Sequence, residues 1–173
     1  MSTTEQTAVP TGTFELDPVH SSVGFEVEYM GIGAFTGTVK EVEASVVDGK
    51  LTGAAAIATV QTKDDNLTAH LLAPDFFDAE KFPKVSFSGT AQPNGTFAGE
   101  ITLKGITQPA TLTGSISDPV TDPYGNQRIG LKLETTIDRT AFGIDWNADM
   151  PDGSKALSNN VKLTADLSLK QAA

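Results

Sequence analysis

"SVGFEVEYM", residues 22–30, decides how the rest of the chain is read. Val23, Phe25, Val27 and Tyr29 alternate with Gly24, Glu26 and Glu28, so apolar and polar residues fall on opposite faces of an extended chain. This is the pattern of an antiparallel strand with one face in a core and the other in water. The same period of two returns in "KVSFSG" (Val85, Phe87), "TFAGEITLKG" (Phe97, Ile101, Leu103) and "ATLTGSIS" (Leu112, Ile116). It continues in "RIGLKLETTID" (Ile129, Leu131, Leu133, Ile137) and "NVKLTADLSLK" (Val161, Leu163, Ala165, Leu167, Leu169). Turn signals, "DGK", "PNG", "GITQP" and "DPYGNQ", separate the runs. Many short strands at hairpin spacing point to an all-β antiparallel sandwich or barrel, of which we favour the barrel.

One segment breaks the alternation. In residues 64–83, "DDNLTAHLLAPDFFDAEKFP", Leu67, Leu71 and Leu72 stand at helical spacing behind Asp65 or Asn66 as a cap, and Pro74 ends the turn. A short helix followed by a lid-like loop is predicted. Phe76, Phe77 and Phe82 sit in a stretch too short for a core helix. Three phenylalanines are not left in water, so they cap the core or line the entrance to a pocket. The plainer alternative is that they plug one end of a filled barrel.

The 173 residues suffice for one domain, with no repeat or linker in view. Residues 1–11 read as a flexible polar tail and 12–170 as the barrel. With 22 acidic against 12 basic residues the net charge is −10, which repels a nucleic-acid backbone or an anionic membrane surface. The absence of cysteine excludes disulfides, thiolate catalysis and zinc–sulfur sites. "MSTTEQTAVP" has neither the basic start nor the apolar stretch of a signal peptide. No apolar run approaches the ~20 residues of a membrane helix. A cytoplasmic protein without an integral membrane segment is expected.

The glycines of "MGIGAFTG", residues 30–37, come close to a dinucleotide-binding turn. Their spacing is G-x-G-x-x-x-G, and the following "TVKEVEASVV" alternates like a strand where the fingerprint needs a helix. They are read instead as glycines of a hairpin turn and of crowded backbone positions. His20 and His70 are the only side chains whose ordinary titration falls near neutral pH. In "LDPVHSS", Asp17, His20 and Ser21 or Ser22 allow a hydrolytic triad to be drawn. No nucleophile elbow or oxyanion motif supports it, and a hydrogen-bonded histidine at a strand start is expected. His20, Asp17 and His70 lack a metal-ligand spacing. Asp64, Asp65, Asp75, Asp78 and Glu80 lack the register of a calcium loop and read as a solvated face. Neither cofactor nor metal is expected.

"LDPVHSSVGFEVEYMGIGAFTGTV", "AHLLAPDFFDAEKFPKVSF", "GEITLKGITQPATLTG" and "DPYGNQRIGLKLETTIDRTAFGIDWN" resemble, in order, the successive signatures of the YceI-like family. These are bacterial lipocalin-like proteins that bind polyisoprenoids and related long-chain lipids. The likeness runs from about Phe14 to Leu169. It implies an eight-stranded antiparallel lipocalin-like β-barrel around an elongated apolar channel, with the helical segment near one end. Carried over position by position, it places Phe25, Val27 and Tyr29 in the channel, with Phe76, Phe77 and Phe82 from the lid, Val85 and Phe87 after it, and Ile101 and Leu103. Phe142, Ile144 and Trp146 of "AFGIDWN" would close one side. There are departures. Many relatives carry a signal peptide, Leu67 stands where they often have arginine, and Tyr124 replaces a frequent tryptophan.

The expected partner is therefore a long-chain lipid, a polyisoprenoid, an isoprenoid quinone or a fatty-acid derivative, bound for transport, storage or sequestration. Burying about ten methylenes at ~0.8 kcal/mol each gives a gross ~8 kcal/mol, near micromolar affinity before ordering costs. His20, Ser22 or His70 could hold the head group. An alternative is an enzyme acting on such a lipid with His20 as acid or base. A third is an interaction module with a filled core. The resemblance also implies a possible homodimer.

Overall fold

The computed structural model describes residues 11–172, so all but the last residue of the expected 1–11 tail lies outside it. The alternating runs form strands in chain order. They are β1 (Thr13–Leu16), β2 (Ser22–Tyr29), β3 (Gly33–Val39), β4 (Val42–Val47), β5 (Lys50–Ala56) and β6 (Val60–Gln61), then α1 (Asp65–Leu72). The chain continues through β7 (Lys84–Ala91), β8 (Phe97–Leu103), β9 (Ile106–Ile116), β10 (Val120–Thr121), β11 (Gln127–Asp138) and β12 (Leu157–Gln171).

These strands build a closed eight-stranded antiparallel barrel. Three of its members are each made of two pieces. β1 and β2 run end to end along β12; β4 pairs with β1 while β3 pairs with β2; and β5 pairs with β4 while β6 pairs with β3. β7, β8, β9 and β11 follow in sequence order. The ring closes where β12 pairs with β11 on one side and with β1 and β2 on the other. The breaks have local causes. Pro18 lacks the N–H a strand would donate, and the Asp17 carboxylate accepts from Val19 N instead, turning Pro18–His20 into a short 3-10 helix. A second such turn at Ile57–Thr59 is held by the Thr59 hydroxyl, which donates to Ala56 O and accepts from Glu41 N.

The inward side chains form two clusters. At the end formed by the β4–β5, β7–β8 and β10–β11 turns, Phe14, Val46, Leu51, Phe97, Ile129, Leu131 and Leu169 pack together and are essentially inaccessible. Phe25, Val27, Ile57, Leu71, Phe76, Ile101, Phe142 and Ile144 belong to the cluster at the helix end. Helix α1 is capped one residue earlier than predicted. Asp64 accepts from Leu67 N at 3.0 Å, while the Thr62 and Thr68 hydroxyls meet at 2.8 Å and tie the approach to the first turn. Two glycines of the 30–37 stretch have distinct tasks. Gly31 turns the β2–β3 hairpin at φ +71°, and Gly37 lies opposite Phe25, whose ring would be 2.4 Å from any Cβ there.

Candidate functional site

Between the helix end and the other cluster, whose Leu51, Leu133 and Leu167 also border the space, the inward side chains do not meet. They leave a cavity of about 190 Å³, counted as the space open to the centre of a water molecule. One water needs ~10–15 Å³ by that measure, so the space takes on the order of a dozen water- or methylene-sized groups. Strand parity puts Phe25 and Val27 of β2, Val85 and Phe87 of β7, and Ile101 and Leu103 of β8 on its wall. Phe76 and Phe77 reach it from the loop after α1, and Ile144 from the segment before β12.

That loop is held by its backbone. Phe77 N donates to Leu71 O, Asp78 N to Ala73 O and Ala79 N to Leu72 O, so the chain folds back on the last turn of α1. Lys104 Nζ reaches across to Pro74 O at 2.7 Å. The phenylalanines are aimed by aromatic contacts. Phe77 meets the Phe25 ring edge-on at 5.9 Å, and Phe76 lies 5.4 Å from Trp146. His70 stands edge-on to both Phe76 and Trp146, with Nε2 3.5 Å from Asp75.

Five predicted positions do not reach the cavity wall. Tyr29 keeps the parity of Val27, but it lies at the rim, beyond a register shift in β12 between Leu157 and Val161. Its partner on the other side is Gly33, which offers no cover, and Tyr29 is 43% exposed. Phe82 turns its ring onto Gly105 in the β8–β9 turn and so fastens the loop from outside the cavity. Phe142 is buried among the core residues behind the wall. Trp146 is taken up by its stack with His70 and Phe76. His20 is exposed on the 3-10 turn between β1 and β2, with Nδ1 2.7 Å from the Asp17 carboxylate.

That carboxylate belongs to a surface cluster. Arg128 donates through Nη1 to Asp17 at 2.8 Å and through Nε to Asp122 at 2.7 Å. The Arg128 guanidinium, and next to it His20, hold the Asp17 carboxyl down at about 2. Asp122 is held still further below the ordinary carboxylate range, chiefly by the same Arg128. The cluster spans β12 from β11 to the β1–β2 junction, so its geometry is that of a latch. No member of it lines the cavity.

Sequence reasoning missed two kinds of wall residue. Phe35 and Val39 line the cavity from β3 and were legible by continuing the alternation through the glycines. Arg139 was not. It follows β11 in "DRTAFGI", is only 3% exposed, and borders the cavity. Its Nε donates to Ser158 O at 2.9 Å, and its Nη1 to Ile144 O at 2.9 Å and Trp146 O at 2.8 Å. Nη2 has no hydrogen-bond partner among the described residues. Burial pulls the guanidinium below its ordinary value, while Asp138 and Asp145 oppose this through space; the group stays charged. Among the described residues no three His, Asp or Glu side chains gather as a metal site, and no helix is long and apolar enough to cross a membrane.

Known proteins share this architecture. A UPF0312 protein of Staphylococcus aureus is 27% identical over 160 residues, which cover 88% of this chain and 94% of the relative. BcnA of Burkholderia cenocepacia superposes with a TM-score of 0.70 at 20% identity, over 88% of this chain and 98% of that one. A polyisoprenoid-binding domain from Saccharophagus degradans, implicated in plant cell wall breakdown, gives a TM-score of 0.69 at 11% identity, over 92% and 98% of the two chains. The model of the YceI-like domain matches residues 14–169, from the second residue of β1 to the last turns of the pattern in β12, and the chain belongs to that family.

Proposed function

We propose that this barrel binds a long-chain apolar lipid, a polyisoprenoid, isoprenoid quinone or fatty-acid derivative, and carries, stores or sequesters it without transforming it. The observation that carries the reading is the apolar cavity bordered by the phenylalanines of the loop after α1. A hollow left among phenylalanine, valine and leucine side chains forfeits their mutual contacts. A lipid chain restores those contacts and leaves water at the same time. The description of the Saccharophagus relative as polyisoprenoid-binding agrees with this. A long isoprenoid exceeds on the order of a dozen groups, so only part of its chain lies inside unless the lid loop moves outward.

The non-enzymatic part of the reading is supported by what faces the cavity. Glu43 and Glu134 border it, but their side chains are exposed and paired with Lys84 and Lys162. An arginine at the wall is a poor proton carrier, because it does not give up its proton in proteins. The lipid-binding unit on this reading is residues 12–170.

Native mass spectrometry of the purified protein, followed by organic extraction, tests the proposal. A stoichiometric long-chain lipid is expected in the released fraction. Protein that is empty and takes up neither polyprenyl lipids, quinones nor fatty acids overturns it. Compartment is tested by cell fractionation, with a cytoplasmic protein expected, and light scattering decides between monomer and homodimer.

A further inference from the structure

We infer that Arg139 is the head-group anchor of the cavity, and that the ligand it selects is a single-chain lipid ending in a carboxylate. The inference rests on the lipid-binding reading above and deepens it. Its basis is an imbalance in the wall. The cavity is lined almost wholly by apolar side chains, yet a guanidinium borders it with three of its donor positions spent on backbone carbonyls. None of its hydrogen bonds goes to a carboxylate, and Nη2 donates to nothing among the described residues. A buried charge that Asp138 and Asp145 offset only through space is costly, and a buried donor without an acceptor adds to that cost.

A structural task alone explains only half of this residue. Through Nε and Nη1, Arg139 fastens the segment carrying Ile144 and Trp146 to Ser158 at the start of β12, and so holds the wall and the lid together. A neutral donor would serve that purpose without the desolvation of a full charge. What a guanidinium adds is a preference for anions, and here the N–H groups of Nη2 remain without an acceptor among the described residues. The position suits a head group. Arg139 follows β11 at the helix end of the barrel, whereas the opposite end is closed by Phe14, Val46, Phe97 and Leu131. A chain lying in the cavity with its acid at Arg139 therefore points its methyl end at the packed core. Nη2 is closed even to water, so anchoring requires the side chains over it to turn aside as the carboxylate arrives. The cavity's size favours a chain on the order of a dozen carbons.

Three ligands of equal chain length test this on the wild-type protein: dodecanoate, 1-dodecanol and dodecylamine, each titrated below its micelle concentration by calorimetry. Dodecanoate is expected to bind at least about tenfold more tightly than the alcohol, the factor that ~1.4 kcal/mol of charge-assisted hydrogen bonding gives. The amine is expected to bind more weakly than both. In Arg139→Gln the preference for the acid over the alcohol should fall to about equality, whatever affinity both ligands lose together as the wall loosens. If that variant does not fold, the side-chain ¹⁵N resonances of Arg139 in the wild type are followed instead; they should shift with dodecanoate and not with dodecanol. Equal binding of acid and alcohol, a preference that survives Arg139→Gln, or silent Arg139 resonances would each overturn the anchor and leave lipid binding standing. If none of the three ligands enters, the anchor is overturned, and lipid binding is decided separately by native mass spectrometry and extraction.

Discussion

Phe25 and Gly37 show how much one residue's meaning depends on its neighbour across the sheet. The ring occupies the space a Cβ would take at position 37, and it also borders the cavity. In a filled core, Gly37→Ala would cost about 1–3 kcal/mol through overpacking. Here the ring can swing into the hollow, so a loss of about 1 kcal/mol or less is expected in urea denaturation, together with weaker lipid uptake. A large loss of stability with unchanged uptake would mean that the ring has no room to move. His20 makes the opposite prediction. Because it is exposed and bound to Asp17 outside the cavity, His20→Ala should leave extracted lipid per protein unchanged; loss of a turnover activity would instead favour an enzyme. At this scale the sequence reading is sound wherever parity decides. Phe25, Val27, Phe87 and Ile101 face the cavity for the reason their alternation suggests. It fails at Tyr29, where parity holds but the barrel has ended, and at Arg139, because alternation cannot say that a charged residue is buried.

Among the elements, α1 with the loop behind it is the part most able to move. Its eight residues are below the length at which a helix stands by itself, and it depends on the Asp64 cap and on packing through Leu71. Asp64→Ala should cost about 0.5–2 kcal/mol locally. Hydrogen exchange over residues 65–83 is the proper measurement, with faster exchange expected there and little change in the strands. Uniform acceleration across the barrel would show that the helix is an integral part of the fold and not a separately opening cover. The helix was legible from its leucine spacing, and the cap was misplaced by one residue because Asp64, Asp65 and Asn66 are all competent cap residues. The broken strands were not legible at all. Periodicity marks β2 as extended, but it carries no sign that β1 lies along the same partner. Nor does it separate a hollow from a plug, since inward-facing residues alternate identically whether or not they meet across the barrel.

For the whole molecule, closure is the defining event, and the Asp17–Arg128–Asp122 latch lies across it. Asp17 titrates at about 2 in the folded protein against an ordinary 3.8. A lowered pKa contributes stability that is complete above the unfolded value and disappears as pH falls through the folded one. Arg128→Gln should therefore unfold at lower urea than the wild type at pH 7, and the gap should narrow from about pH 4 downward through pH 2, with the share due to Asp122 lost last. A gap independent of pH would assign the effect to packing of the arginine stem. The order of the strands along this ring also bears on the protein's birth. Each member of the barrel can pair with the one made just before it, but the second edge of β1 and β2 must wait for β12, a 15-residue strand made after all the others described. A ribosome releasing the chain from its first residue thus exposes an open, curled sheet with its greasy face uncovered until the final segment emerges. During that interval the future container has a gap along its full height, so it lies open at the side even though α1 and its loop, made earlier, can already cover the end.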